Sequence, residues 1–366
     1  MKKVLFLSNI PTPYRNEFYN ELGKSVDLTV VYEAKGARDQ GIRFNWDINQ
    51  VLNYKAIFLK DGDIEEKKIN WAIFSELRKK YDIIIATNYS YLTEMTAILY
   101  LKIKKIPYYL EIDGGIIRKE NRIKRLFKTF LITGARKYFS PSTKTDEFLV
   151  HYGATENAII RHPFTSLHCD QVLIKPLTKE QKRQVRATLG IQDDRVVLGV
   201  GQLIQRKGWD MLLDVAHKIE AGIYIVGEGE LRSQYEAKIR ERNLKNVHLI
   251  GFQDNETTAA YYKAADLFVL PTRYDIWGLV INEALAYGLP TITTSKCIAG
   301  IELIKNGTNG FIVDVEDTYE LYKNIEKVLN EPAFALSLSE SAIDTMKNYT
   351  IEEMASKHIA EIEKGY

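Results

Sequence analysis

The sequence predicts an α/β protein made of two Rossmann-like domains of similar size, each a doubly wound parallel sheet covered by helices, facing each other. Three observations carry this. At 366 residues the chain exceeds the roughly 250–300 residues at which one hydrophobic core stops growing. Short apolar runs alternate with longer amphipathic ones in both halves, the βαβα rhythm of a parallel sheet. That series restarts once, after a polar stretch holding Pro163 and Pro176, which reads as a linker from Pro163 to about Gln184.

Taken in order, the expected strands of the first half are Val4–Leu7, Leu28–Tyr32, Ile83–Ala86, Tyr108–Ile112 and Tyr138–Pro141. Those of the second half are Val196–Val200, Ile223–Val226, Val247–Ile250, Leu267–Leu270, Thr291–Thr294 and Phe311–Val313. The expected domains are 1–165 and 185–345. Beyond them, Ile351, Met354, Ala355, Ile359 and Ile362 recur at helical spacing, so a helix over about 351–366 must bury one face, and it is expected to do so on the first domain.

Composition removes whole classes. Hydrophobic residues at 45% and charged ones at 27% lie near globular averages and exclude disordered, collagen-like and coiled-coil chains. No repeat of 20–50 residues is visible, which sets solenoids and propellers aside. The two cysteines, Cys169 and Cys297, are too few for a disulfide framework or a cysteine zinc site and fit a reducing cytosol. The opening apolar run is too short for a secretory leader and reads as a first strand; no run approaches the roughly 18 apolar residues of a membrane span. The net charge of +2 hides an asymmetry: residues 1–165 hold 27 Lys+Arg against 19 Asp+Glu, +8, and the remainder carries −6. That excess is too modest for nucleic acid and suits an anionic membrane surface.

Open α/β sheets bind ligands beyond the carboxyl ends of their strands. After Val196–Val200 come Gly201, Gln202, Arg206, Lys207 and Gly208. Glycines permit close backbone approach, a helix start offers N–H donors, and two cations add charge, together a site for a diphosphate; a tight turn with solvated cations is the alternative. Neither a Walker loop nor a dinucleotide fingerprint is present, since Ile204 stands where the latter needs its third glycine. In the next loop Gly227 is followed by Glu228 and Glu230, which read as helix-capping acids. A third loop carries Asp275, then Gly278 opens a helix with Leu279 and Val280 in its first turn and Glu283 about one and a half turns inside. Carboxylates accept hydrogen bonds from sugar hydroxyls, and N–H groups of a first turn take phosphate oxygens.

The ordered set G-x-L…K-G, V-G-x-G, then P-T-x-x-Asp-x7-Glu-A-L-A-x-G-L-P and Gly300-Ile301-Glu302 resembles the donor-binding domain of the family 4 (group 1) retaining glycosyltransferases of GT-B fold. The likeness spans about residues 195–330; the first half resembles the family in layout and in its opening LSNIPTPYRNEF. It implies two Rossmann-like domains facing a central cleft, with the acceptor on the first and the nucleotide sugar on the second. It implies that Lys207 contacts the donor diphosphate, that Glu283 holds the ribose hydroxyls, and that Asp275, where the family has Glu, contacts the transferred sugar. The implied donor set is Gly201, Gln202, Arg206, Lys207, Gly227, Phe252, Asp275, Gly278, Leu279, Val280 and Glu283, with Arg206, Lys207, Asp275 and Asp113 carrying the chemistry. Two departures stand out. Gln202 replaces a family arginine, leaving Arg206 to substitute for it, and Ile10 to Arg15 replace the family's first Gly-Gly loop.

Asp113, at the end of a first-half strand, is the candidate to orient or deprotonate the acceptor hydroxyl, with Glu111 as rival and an Asp-Gly turn as the bland alternative. None of the six histidines (151, 162, 168, 217, 248, 358) lies near it in sequence. Asp61 and Asp63 imitate a metal-binding Asp-x-Asp but read as a turn; no metal and no cofactor are expected. Arg118 to Lys144 holds nine basic residues and one acidic, Glu120. Ile123, Leu126, Phe127, Phe130 and Leu131 fall there at helical spacing, a basic amphipathic helix suited to an anionic leaflet or a stripe packed on the domain.

The expected activity is metal-independent retaining transfer of a sugar from a nucleoside diphosphate sugar, a UDP-sugar, to a saccharide hydroxyl. The expected acceptor is a lipid-linked intermediate of capsule or exopolysaccharide synthesis at the inner face of the cell membrane. The alternatives are a GT-B sugar-nucleotide epimerase and an impaired glycosyltransferase-like accessory subunit.

Overall fold

A computed structural model describes residues 1–39, 42–45 and 52–366. The chain divides into two compact units, Met1–Ser166 with Tyr349–Tyr366, and Leu167–Asn348.

In the first unit the strands run β1 (Lys3–Ser8), β2 (Asp27–Tyr32), an antiparallel ribbon of β3 (Gly36–Asp39) and β4 (Ile42–Asn45), then β5 (Lys55–Phe58), β6 (Ile83–Ala86), β7 (Tyr109–Glu111), β8 (Lys137–Ser140) and β9 (Ile159–Arg161). Seven of them form a parallel sheet in the order β5-β2-β1-β6-β7-β8-β9. Helices cover both faces, so β1 and β6 are near-continuous apolar runs rather than alternating ones. The edge strands β5 and β9 are short and only partly buried, and the sequence pattern did not mark them as strands. The chain winds outward from β1 to β5 and returns to β6, which puts the topological switch point between β1 and β6.

The helix Ile351–Lys364 belongs to this unit and packs on the helix Pro13–Leu22. Thr350 caps its start by accepting the Glu353 N–H (3.3 Å). Its buried stripe is Ile351, Met354, Ala355, His358 and Ile362. Thus His358 is buried where the apolar pattern suggested Ile359. The tail is pinned to the sheet: the Tyr109 hydroxyl donates to the Gly365 carbonyl (2.7 Å) and the Ile84 N–H donates to the Tyr366 hydroxyl (2.8 Å).

The second unit holds β10 (Val196–Val200), β11 (Gly222–Val226), β12 (Val247–Gly251), β13 (Leu267–Leu270), β14 (Thr291–Thr294) and β15 (Gly310–Val313), all parallel in the order β12-β11-β10-β13-β14-β15. Its switch point lies between β10 and β13. The segment expected to be a linker is largely part of this unit. The Leu173 N–H donates to the Ala286 carbonyl (3.0 Å), and the helix Lys179–Leu189 starts inside the expected linker, closed by a Thr178–Gln181 capping box and by Gly190 in the left-handed region. No helix among the described residues is long and apolar enough to cross a membrane.

Candidate active site

Because β10 and β13 are neighbours, the loops that follow them emerge side by side. Gly208 locks them together: it has φ +68°, and a Cβ there would stand 2.1 Å from the Pro271 carbonyl oxygen, so only glycine lets the first loop lie on the end of β13. The Arg206 carbonyl then accepts from the Arg273 N–H (2.8 Å) and the Thr272 hydroxyl (2.9 Å). This frame brings Lys207 Nζ to 2.5 Å from Asp275 Oδ2 and Arg206 Nη1 to 3.0 Å from Asp275 Oδ1. Arg206 also donates to the Tyr274 carbonyl (3.0 Å). Asp275 is itself fixed, its N–H donating to the Lys296 carbonyl (3.0 Å) and its carbonyl accepting from the Ile298 N–H (3.3 Å).

The remaining walls are backbone. Gly227, with φ +144°, would place a Cβ 2.1 Å from the Gly201 carbonyl oxygen, so the ends of β10 and β11 can touch only through glycine. The Gln202 carbonyl accepts from the Trp209 indole N–H (2.9 Å). Phe252, just past β12, is 78% exposed. Glu228 does not cap a helix as expected: its carboxylate pairs with Arg232 (2.5 Å), since the loop carries the chain onward to a helix that starts only at Arg232. On the other side Gly278 caps the helix Leu279–Ala286, its carbonyl accepting from the Ile281 N–H (2.9 Å), so the N–H groups of Leu279 and Val280 lie ahead of the first intrahelical bond. Glu283 accepts from the Tyr262 hydroxyl (2.8 Å). Burial, and then the Glu283 carboxylate, push the Tyr262 phenol well above its ordinary range, so it stays a donor. Beneath this helix Cys297 is buried, and burial lifts its thiol to about 11, which leaves it an inert packing group.

In the first unit the loop after β7 carries Asp113. Tyr14 donates to Asp113 Oδ2 (3.1 Å), and Arg15, at the start of the helix Pro13–Leu22, pairs with Asp113 and donates to Glu111 Oε1 (2.6 Å). Glu111 is fully buried. Burial alone would raise its carboxyl, but Arg15 and then His358 outweigh that and hold it below the usual carboxylate range. His162 follows β9, buried, and its ring is pushed down to about 3 by burial and then by His358.

Comparison with known proteins fits this arrangement. The model for glycosyl transferases group 1 matches residues 181–345. Over those residues the chain is similar to the group 1 glycosyl transferases. Curated relatives include the alpha-D-kanosaminyltransferase of Streptomyces kanamyceticus, 28% identical over 45% of this chain and 44% of that protein. Another is the lipopolysaccharide core biosynthesis glycosyltransferase LpsE of Rhizobium meliloti, 27% identical over 42% and 45%. The chain thus spans about half the length, or less, of the curated relatives it matches. The fold as a whole is GT-B: Anabaena HepE, crystallised with UDP, superposes with a TM-score of 0.78 over 99% of this chain and 100% of that one, at 15% identity.

Within the second unit, the expected Arg206, Lys207 and Asp275 meet in one cluster, and Gly201, Gln202 and Gly227 line the adjoining strand ends. Tyr262 was missed, because only the fold brings the helix Asn255–Ala264 to Glu283. Arg15, His162 and His358 were missed as partners of Glu111 and Asp113 for the same reason. Asp61 pairs with Lys35 (2.7 Å) and is 87% exposed beside Gly62 at φ +93°, which fits the turn reading. Glu111, His162 and His358 bring one ligand atom each within 4.8 Å of one another. A divalent cation there, however, would lie against the buried Arg15 guanidinium that binds Glu111. The basic stretch forms the helix Arg122–Ile132, capped by Asn121. Its stripe does not pack on the domain: Ile123, Leu126, Phe127 and Phe130 are exposed, and only Leu131 and Ile132 are buried. Lys128 is held by Glu120 (2.6 Å), leaving Arg122, Lys124 and Arg125 as the exposed cations of the helix.

Proposed function

We propose that the protein is a retaining glycosyltransferase that moves a sugar from a UDP-sugar to a saccharide hydroxyl, on a lipid-linked intermediate of cell-surface polysaccharide synthesis. The observation that carries this reading is the Lys207–Asp275 pair, with Arg206 beside it, at the switch point of a domain similar to the group 1 glycosyl transferases. A diphosphate entering the site gives Lys207 and Arg206 a new anionic partner, and the first turn of the helix Leu279–Ala286 supplies N–H donors. Fixed positive potential then stands where charge develops on the leaving group. Released from its cations, Asp275 can accept from a hydroxyl of the transferred sugar. Glu283, aimed by Tyr262, accepts from the ribose, and the exposed Phe252 ring offers a stacking face to the base.

The bond from the anomeric carbon to the diphosphate breaks while the acceptor oxygen bonds to the same face, and the acceptor proton passes to the departing phosphate. Asp113, held by Arg15 and Tyr14, orients the acceptor hydroxyl by accepting its hydrogen bond. Charge is met by side chains and helix termini, so no divalent metal takes part. The UDP bound by HepE and the lipopolysaccharide role of LpsE support the donor and the acceptor class. The exposed apolar and basic helix Arg122–Ile132 supports work on an anionic membrane, at its cytoplasmic face.

Thermal-shift measurement with UDP-, GDP- and ADP-sugars tests the donor, followed by product analysis with and without a saccharide acceptor. Stabilisation by UDP-sugars and acceptor-dependent release of UDP are expected. An isomerised donor formed without acceptor would replace this reading with an epimerase.

A further inference from the structure

Beneath Asp113 the first unit buries more hydrogen-bonding capacity than its protein partners satisfy. His358 Nδ1 lies 2.8 Å from the Met354 carbonyl oxygen. A carbonyl only accepts, so Nδ1 carries a hydrogen. In a neutral ring Nε2 would then present a lone pair, yet it faces Glu111 Oε2 at 3.5 Å. Both atoms are buried, and neither has a hydrogen-bonding partner among the described residues. Two acceptors facing each other away from water are costly unless a proton lies between them. Charge balance asks for the same proton, since Glu111 and Asp113 share one guanidinium, that of Arg15. Phe139 stacks on the His358 ring (4.0 Å, 17°) and offers a π face to a cation.

We propose that His358 is a positioning residue for the acceptor-side carboxylate: as an imidazolium it holds Glu111, Glu111 aims Arg15, and Arg15 fixes Asp113. The alternation of charge runs from the last helix through β7 to the helix Pro13–Leu22 and back to the loop after β7. The titratable groups that face His358 from neighbouring elements are Glu111 and His162, with Arg15 on the far side of Glu111 and Tyr19 and Asp113 around Arg15. On its own helix Glu361 is taken by Lys137 (3.4 Å) and Lys364 (2.9 Å). His162 does not compete for the proton. Its Nδ1 is engaged with the Pro163 carbonyl (3.1 Å), and its burial beside His358 keeps it neutral. The proposal rests on Asp113 serving the acceptor, as read above, but the proton and the positioning can each be measured without turnover.

Nitrogen NMR of the histidine rings in the wild-type protein at pH 7 should show both nitrogens of His358 protonated. A ring with bare Nε2, or stoichiometric zinc in elemental analysis, would overturn the imidazolium. Carboxyl carbon NMR should then show the titration of Asp113 displaced in His358→Gln, which keeps a donor and loses the charge; an unchanged titration would overturn the relay. In transfer assays His358→Gln should lower kcat about tenfold, the scale of one charged hydrogen bond, with the donor KM unchanged, and His358→Leu should lose more. A kcat lowered equally in His358→Gln and His358→Leu would refute the positioning role. A wild-type protein that transfers no sugar would overturn the proposed function, while the two NMR measurements still decide the relay.

Discussion

Lys207 Nζ and Asp275 Oδ2 are 2.5 Å apart, and the two side chains are only 10% and 11% exposed. Lys207 has Asp275 as its carboxylate, whereas Asp275 also has Arg206. Removing Asp275 leaves the Lys207 charge buried and uncompensated, which costs about 3–5 kcal/mol. Asp275→Ala should therefore unfold in less denaturant, and Lys207→Ala should lose donor binding with a smaller loss of stability. The double variant Lys207→Met with Asp275→Leu separates the two effects: chemical melts should show stability recovered, and product assays should show transfer still absent. Recovery of both would remove the pair from the chemistry.

Glu283 depends on Tyr262 for its direction. Tyr262→Phe deletes a hydrogen bond to a charged group, worth about 1.5–3 kcal/mol, and should raise the donor KM with little change in kcat. Glu283→Ala should weaken donor use further, by about 2–4 kcal/mol in kcat/KM. Near-normal steady-state kinetics in both variants would take the ribose contact away from Glu283.

His162 gives the first unit an acid limit. Its ring has an ordinary value of 6.5 and is held near 3 in the fold, so the unfolded chain binds a proton that the fold excludes. Stability should fall as pH drops below 6.5, by up to about 1.4 kcal/mol per pH unit, until pH approaches 3. Glu111 acts in the same direction at lower pH. Its carboxyl is held below its ordinary 4.5, so its contribution is present above that value and is lost as pH falls. Urea melts between pH 7.5 and 4.5 should show a flatter dependence for His162→Phe than for wild type; equal slopes would reject the linkage.

Chelation should leave transfer intact, since Arg206, Lys207 and a helix start meet the diphosphate charge. If EDTA abolishes product formation and manganese or magnesium restores it, the acidic turn at Asp61 and Asp63 must be reconsidered.

The helix Arg122–Ile132 should hold the protein on anionic vesicles. Each cation near such a surface contributes roughly 1 kcal/mol. Replacing Arg122, Lys124 and Arg125 with Gln should release the protein into the supernatant in sedimentation assays, as should 1 M salt, while transfer to a short soluble acceptor persists. Equal sedimentation of wild type and variant would remove these cations from membrane docking.

Central strands were legible in the sequence because burial on both faces writes a continuous apolar run: Val196–Val200 and Leu267–Leu270 lie where they were expected, as does the threonine-rich, β-branched Thr291–Thr294. The edge strands β5 and β9 hold only short apolar runs, residues 56–58 and 159–160, each beside a charged residue, and they were overlooked. The loops after β10 and β13 could be picked out because glycine and charge cluster there locally. The Tyr262–Glu283 contact and the Arg15–Glu111 contact could not, being 21 and 96 residues apart in sequence. His358 left a faint signal. With Ile351, Met354, Ala355 and Ile362 it completes a helical stripe, but a stripe traced by hydrophobicity alone steps over a histidine and lands on Ile359.

The second unit, Leu167–Asn348, is one unbroken stretch, whereas the first needs Tyr349–Tyr366 to be complete. On a ribosome, which delivers the chain from its N-terminus, the later-numbered unit is therefore finished first. Until the last helix emerges, Glu111 has Arg15 but not His358, and β7 and β6 lack the contacts that Tyr109 makes with Gly365 and Ile84 with Tyr366. The half-made first unit spends that interval with a buried carboxylate short of one partner, and the order of synthesis makes the final helix the piece that closes it.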